Sequence, residues 1–185
     1  MTTKTLLLMC ALLGIAGCAN TVSKLPALPV DTSAAYRLGA GDSLKITVFG
    51  EEDLSGIYNV ADNGGVVMPL VGNVPAMGLT LPELQHKLIE QLNTNVIKSP
   101  DVTIQIAAYR PFFILGEVKN PGSYPYVPDM TVLTAVAIAG GFTFRASEEE
   151  VSVTRNYAGA PREARAPRDA RLMPGDVVYV SERHF

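Results

Sequence analysis

The chain has 185 residues and 48% hydrophobic content, enough apolar surface for one good core or two small ones. Its formal charge is only −3 and it carries no long basic run, which excludes a nucleic-acid partner whose phosphates would need neutralising.

At the N-terminus, Lys4 supplies a positive start and Leu6 to Leu13 an apolar segment too short to span a bilayer. Ile15-Ala16-Gly17-Cys18 then presents small residues before a cysteine. These residues resemble a bacterial lipoprotein signal. The resemblance implies that residues 1–17 are removed and that Cys18 becomes the first residue, carrying a diacylglycerol on its thiol and a further acyl chain on its amino group. Such a set exceeds the two signals that stable anchoring takes. Ala19 in place of Asp implies, by the same resemblance, sorting to the outer membrane. Cys10 leaves with the signal, so no intrachain disulfide is possible despite the oxidising compartment. The alternative, an uncleaved membrane helix, is opposed by Asn20, Ser23 and Lys24, which end the apolar run far short of about 20 residues. Residues 18–35, with Pro26 and Pro29, read as a lipidated flexible tether.

In residues 36–109, Gly39-Ala40-Gly41-Asp42 is a turn. Ser43 to Phe49 alternates Leu44, Ile46 and Val48 with polar residues, the period of a half-buried strand. Gly50 to Gly56, with Glu51, Glu52 and Asp53, reads as a polar loop. Ile57 to Val60 and Val66 to Leu70, joined through Asp62-Asn63-Gly64-Gly65, are expected to form a hairpin with a type I′ turn. Val71 to Met77 is a short extended segment. Thr80-Leu81-Pro82-Glu83 has the capping-box spacing, and Leu81, Leu84, Leu88 and Leu92 follow at helical spacing, so a helix is predicted from Thr80 to about Asn95. Asp101 to Tyr109 alternates again as a strand.

Residues 110–185 open on Arg110 to Tyr126. Phe112 to Val118 is apolar enough for a strand buried on both faces, Asn120-Pro121-Gly122 has the residues of a tight turn, and a second extended run, Ser123 to Val127, follows. Thr131 caps a small-residue helix, Val132 to Ala139, stopped by Gly140-Gly141. Because that helix is apolar nearly all round, it should be sandwiched. Strands Glu150 to Arg155 and Asp176 to Val180 complete a hairpin–helix–strands order, the plan of a sheet curled around one helix. The fold class is therefore α+β, a small α/β domain followed by a β-grasp (ubiquitin-like) domain. Leu38 to Ile46 and Leu172 to Val180 repeat one Gly-Asp turn-and-strand device, read as local convergence because nothing between them repeats at a fixed period.

Tyr36-Arg37-Leu38-Gly39-Ala40-Gly41-Asp42, Arg110 to Tyr126 and Leu172 to Val180, in that order, resemble the Wza-like polysaccharide export lipoproteins of the outer membrane. The resemblance covers roughly Tyr36 to Val180. It implies an export-signature domain over 36–109 and a soluble-ligand-binding β-grasp domain over 110–185. It also implies a non-enzymatic role without cofactor: neighbouring subunits close a periplasmic ring that conducts exopolysaccharide or capsule, over an inner-membrane polysaccharide copolymerase.

The chemistry-bearing residues agree with a role outside catalysis. His86 and His184 are the only histidines, and His86, beside Lys87 on the predicted helix, reads as solvated or capping. No metal-ligand spacing occurs. Glu51 to Asp53 and Glu148 to Glu150 are adjacent acids of the solvated kind rather than a glycosidase pair. No nucleophile elbow or phosphate loop is present, and with no tryptophan only Tyr109, Tyr124 and Tyr126 offer weak sugar stacking. Arg162, Arg165, Arg168 and Arg171, after Arg155, make Asn156 to Arg171 a basic loop that Pro161 and Pro167 keep irregular. It is either simply solvated or an edge that contacts acidic polymer or a partner. The sequence closes on Ser181 to Phe185 directly after its last strand, where longer family members continue to a membrane-crossing helix. The expectation is that a separate outer-membrane protein such as a β-barrel supplies the pore, or that a partner chain supplies the missing pieces. Two rival readings stay open: a monomeric periplasmic lipoprotein that binds a glycan or small ligand, and a polysaccharide-modifying enzyme.

Overall fold

A computed structural model describes residues 22–29, 35–95, 97–157 and 159–183. The signal, Cys18 and His184 lie outside the described residues. The chain is α+β and gathers two apolar cores, one from Leu38 to Ile104 and one from Leu28 to Val180.

In the first core, β1 (Ser43–Val48) is the middle strand of an antiparallel sheet, between β2 (Glu51–Asn59) and β5 (Val102–Ala108). Its alternation is realised: Leu44, Ile46 and Val48 are buried. The expected polar loop at 50–56 is instead the start of β2. Val48 faces Glu51 across a two-residue turn, and the Ser55 hydroxyl accepts the Val48 N–H at a bulge. Glu51, Glu52 and Asp53 are tolerated there because β2 is an edge strand whose carboxylates stay in water.

The Asp62-Asn63-Gly64 turn exists but is not type I′. Among these residues only Gly64 takes a positive φ, and the Gly64 N–H donates to Ala61 O over 2.8 Å, a type I turn followed by a bulge. Nor do its flanks form the expected hairpin, for they share the single bridge Val60–Val66. Ile57 pairs back onto β1, while β3 (Gly65–Met68) pairs with β4 (Gly72–Pro75). The capped helix α1 (Leu81–Asn95) is as predicted. Thr80 N–H donates to Glu83, whose own N–H returns to the Thr80 hydroxyl, and Leu84, Leu88 and Leu92 are buried.

The second core lies under a five-stranded sheet ordered β7-β6-β10-β8-β9, built from β6 (Phe112–Gly116), β7 (Gly122–Tyr124), β8 (Glu150–Tyr157), β9 (Ala160–Pro167) and β10 (Val177–Val180). The last strand inserts beside the first in parallel, and α2 (Val132–Ile138) covers one face, so the topology is a β-grasp. Three expectations change here. Strand β6 is buried on one face only: Phe112 and Ile114 point inward, whereas Phe113 and Leu115 are 42% and 47% exposed. Helix α2 is likewise one-sided, with Val132, Ala135 and Val136 buried and Leu133 and Ile138 exposed. The expected basic loop at 156–171 contains β9, which pairs with β8 from Glu150–Pro167 to Tyr157–Ala160. Its prolines sit near the ends of the strand, where a missing N–H is tolerated.

Part of the expected tether is also structured. Leu28 N–H donates to Arg165 O (2.7 Å) and Arg165 N–H to Pro26 O (2.8 Å), so this segment lies alongside β9, which would otherwise be the open edge of the sheet. Val22 and Leu28 are buried.

Candidate functional site

The repeated Gly-Asp device builds the junction between the two cores. In each copy the aspartate folds back on its own turn: Gly39 N–H donates to Asp42, and Met173 N–H donates to Asp176, both over 2.8 Å. The residue before each aspartate, Gly41 or Gly175, has a φ near +90°, a conformation only glycine adopts freely. Both carboxylates are buried, and each is met by an arginine.

Arg155 grips Asp176 with two parallel bonds, Nε to Oδ1 at 2.9 Å and Nη2 to Oδ2 at 2.7 Å. Burial alone would lower the guanidinium's hold on its proton. The bonds and charge of Asp176 outweigh that, and the net shift is upward. Asp42 accepts from the Tyr36 hydroxyl (2.6 Å), the Arg110 backbone (3.0 Å) and Arg110 Nη1 (3.2 Å). Burial first, then the hydrogen bond given to Asp42, push the Tyr36 phenol far above the ordinary tyrosine range.

Arg110 therefore stands between the two turns. A Cβ on Gly175 would come within 2.7 Å of its Nε, and its chain neighbours are stitched on the same side: Gly175 N–H donates to Pro111 O and Phe113 N–H to Asp176 O.

Beside this junction opens a cleft of about 490 Å³, within the range of small-ligand sites, lined by Tyr36, Tyr109, Tyr126, Asp129, Asp169 and Arg171 among others. Tyr109 stands edge-on between Tyr36 (5.1 Å) and Tyr126 (5.4 Å). The Tyr126 hydroxyl donates to Leu172 O, and burial is the main cause raising its pKa. Asp129 pairs with Arg171 over 2.9 Å at the exposed rim. Tyr109 and Tyr126, expected as stacking residues, thus meet in one wall. Tyr124 does not join them; it stacks on Phe112.

The four candidate arginines do not converge. Arg162 lies over the Tyr157 ring, Arg165 pairs with Glu150 (2.8 Å) and Arg171 pairs with Asp129. The Arg168 side chain has no partner among the described residues. The acidic runs do not converge either: Glu51, Glu52 and Asp53 are exposed on β2, and Glu148 and Glu149 are exposed before β8. His86 is exposed beside Glu90, and no group of three or more metal-ligating side chains is found among the described residues. Sequence reasoning missed Tyr36, Arg110 and the Arg155–Asp176 pair. The turn halves of these contacts are visible as Gly-Asp motifs, but the arginine halves lie far along the chain.

An α/β unit and a β-grasp unit thus meet at paired Gly-Asp turns. Residues 30–107 match the family described as polysaccharide biosynthesis/export protein, and residues 111–166 match the SLBB domain. The chain belongs to the Wza-like polysaccharide export family. It is similar to the exopolysaccharide production protein ExoF of Rhizobium meliloti (strain 1021), 33% identical over 141 residues, which cover 70% of this chain and 33% of that protein. It also resembles the EPS I polysaccharide export outer membrane protein EpsA of Ralstonia nicotianae, 28% identical over 184 residues, covering 80% of this chain and 48% of that protein. The polysialic acid transport protein KpsD of Escherichia coli is 30% identical over 112 residues, 57% of this chain and 19% of that protein. The chain thus spans a third to a half of the length of the first two relatives.

Proposed function

We propose that this chain is a non-enzymatic outer-membrane lipoprotein that forms part of an oligomeric periplasmic conduit for exopolysaccharide or capsular polysaccharide. The observation that carries the reading is the pairing of a polysaccharide-export match with an SLBB match in one chain, 80% of which aligns with a protein named for polysaccharide export. In this reading Cys18 carries the lipid anchor, the two domains stand in the periplasm, and copies join side by side around the polymer above an inner-membrane copolymerase. The outer face of the β-grasp sheet supports lateral joining. Phe113, Leu115 and Tyr179 lie on adjacent strands β6 and β10, where Leu115 faces Tyr179, and all three are more than two-fifths exposed. A continuous apolar row of that kind is commonly covered by another surface. Arg162 and Arg168, exposed on or just past β9, are the two of the four candidate arginines without a carboxylate partner among the described residues, and in this reading they meet polymer or partner. No helix among the described residues is long and apolar enough to cross a membrane.

The test is deletion of the gene in the producing bacterium, with secreted and cell-retained polymer measured separately. The reading requires secreted polymer to fall while synthesis capacity persists, and requires a plasmid copy to restore export where a Cys18→Ala copy does not. Normal secretion in the deletion strain would overturn it.

A further inference from the structure

The tyrosine cleft at the domain junction has chemistry of its own that the conduit reading does not use. Its wall is set in advance of any ligand: the hydroxyls of Tyr36 and Tyr126 are committed to Asp42 and Leu172 O, which fixes both rings, and Tyr109 is held edge-on between them. Rings fixed in this way offer apolar surface to the C–H faces of a pyranose without paying to order themselves.

Polar groups that answer hydroxyls sit along the same cavity. Neither the Tyr109 hydroxyl nor the Asp169 carboxylate has a hydrogen-bond or ionic partner among the described residues, and the Asp129–Arg171 pair presents acceptor and donor together at the rim. The charge balance selects among saccharides. Arg155 also lines the cleft, but its guanidinium is spent on Asp176, so Asp129 and Asp169 face Arg171 as the one remaining cation among the lining residues. A uronate or phosphate would meet the uncompensated Asp169 carboxylate, since Arg171 is already paired with Asp129, whereas a neutral sugar would meet acceptors for its hydroxyls. The volume, about 490 Å³, suits a short oligosaccharide segment better than a small ion.

We propose that this cleft is a saccharide subsite that takes a neutral segment of a glycan chain, with Tyr109 as its stacking platform and Asp169 as a hydroxyl acceptor. The proposal rests on the export reading for the source of the sugar, not for the chemistry of the cleft.

The chain has no tryptophan and seven tyrosines, so its ultraviolet emission reports tyrosine, and three of the seven line the cleft. The full chain is titrated with maltotriose, cellotriose, mannotriose and galactotriose as neutral probes and with trigalacturonate as the charged one. Tyrosine emission and saturation-transfer NMR are recorded together. At least one neutral trisaccharide should bind, trigalacturonate should bind more weakly, and Tyr109→Leu should weaken the neutral ligand by about tenfold, with Asp169→Asn weakening it less. Tyr109→Phe, which keeps the ring, should retain most of the affinity, and His86→Ala on the exposed side of α1 should leave it unchanged.

Absence of any response to the four neutral probes overturns the subsite, as does equal binding by a folded Tyr109→Leu variant or preference for trigalacturonate. The two readings fail separately. If the deletion strain stops secreting but no neutral sugar binds, the subsite falls and export stands. If sugars bind while secretion survives the deletion, export falls.

Discussion

Asp42 and Asp176 are each fixed by an arginine distant in sequence, and their environments set how much each matters. The Arg155–Asp176 pair is buried on both sides, so removing one partner strands a charge without solvent. Asp176→Ala should cost about 3–5 kcal/mol in urea unfolding at neutral pH, and the double change Arg155→Met with Asp176→Leu should cost much less, because no charge is then left buried. A loss under about 1 kcal/mol in the single variant would contradict the geometry. Tyr36 adds a pH dependence. Its phenol is raised in the folded chain, so folding holds the proton that an unfolded tyrosine releases near pH 10. That stabilisation is complete below about pH 10 and is lost as the pH climbs toward the folded value. Stability measured by circular dichroism should therefore decline on the alkaline side, and less steeply in Tyr36→Phe. At this scale the sequence displays the turn halves of the device, Gly39 to Asp42 and Pro174 to Asp176, because a turn is made by neighbours. Arg110, 68 residues beyond Asp42, is not legible, since nothing local distinguishes it from a solvated arginine.

Elements whose signal is periodic were readable. The leucines of α1 repeat at helical spacing and all face one core, and β1 alternates as a middle strand should. The misread elements are edges. Strand β2 begins with three acids and β9 opens Ala160-Pro161-Arg162, compositions that mimic loops because an edge strand need not hide its side chains. Strand β6 errs in the other direction. Its apolar run looks doubly buried, yet its outer face lies open in the isolated chain. Residues 26–28 look like tether in the sequence because Pro26 and Pro29 suggest an irregular path, and an irregular segment can still lend one N–H and one carbonyl to an open edge. This segment makes its own prediction. Leu28→Pro removes the N–H that donates to Arg165 O, so amide exchange at Arg165, measured by NMR, should accelerate while exchange in β1 stays unchanged. Equal protection at Arg165 in both proteins would mean that the segment does not cover β9.

At the scale of the whole molecule, two small cores meet at a junction that Arg110 fills, and the cleft opens beside it. The order of the two units and the fold of each were legible from motif order. The cleft was not, because Tyr36, Tyr109 and Tyr126 come together only once both units are in place. The charge of the arginines on and after β9 was legible while their pairing was not: Glu150 neutralises Arg165 and Asp129 neutralises Arg171. What the molecule does with its uncovered surface is then a question of copies. A conduit built by this chain needs subunits that close upon one another, with the row of Phe113, Leu115 and Tyr179 removed from water. The direct measurement is the mass of the chain as extracted from its own cells in detergent, by sedimentation or native mass spectrometry across a range of concentration. The account predicts one discrete oligomer, dispersed to smaller species by Leu115→Asp. A single chain at every concentration would contradict it.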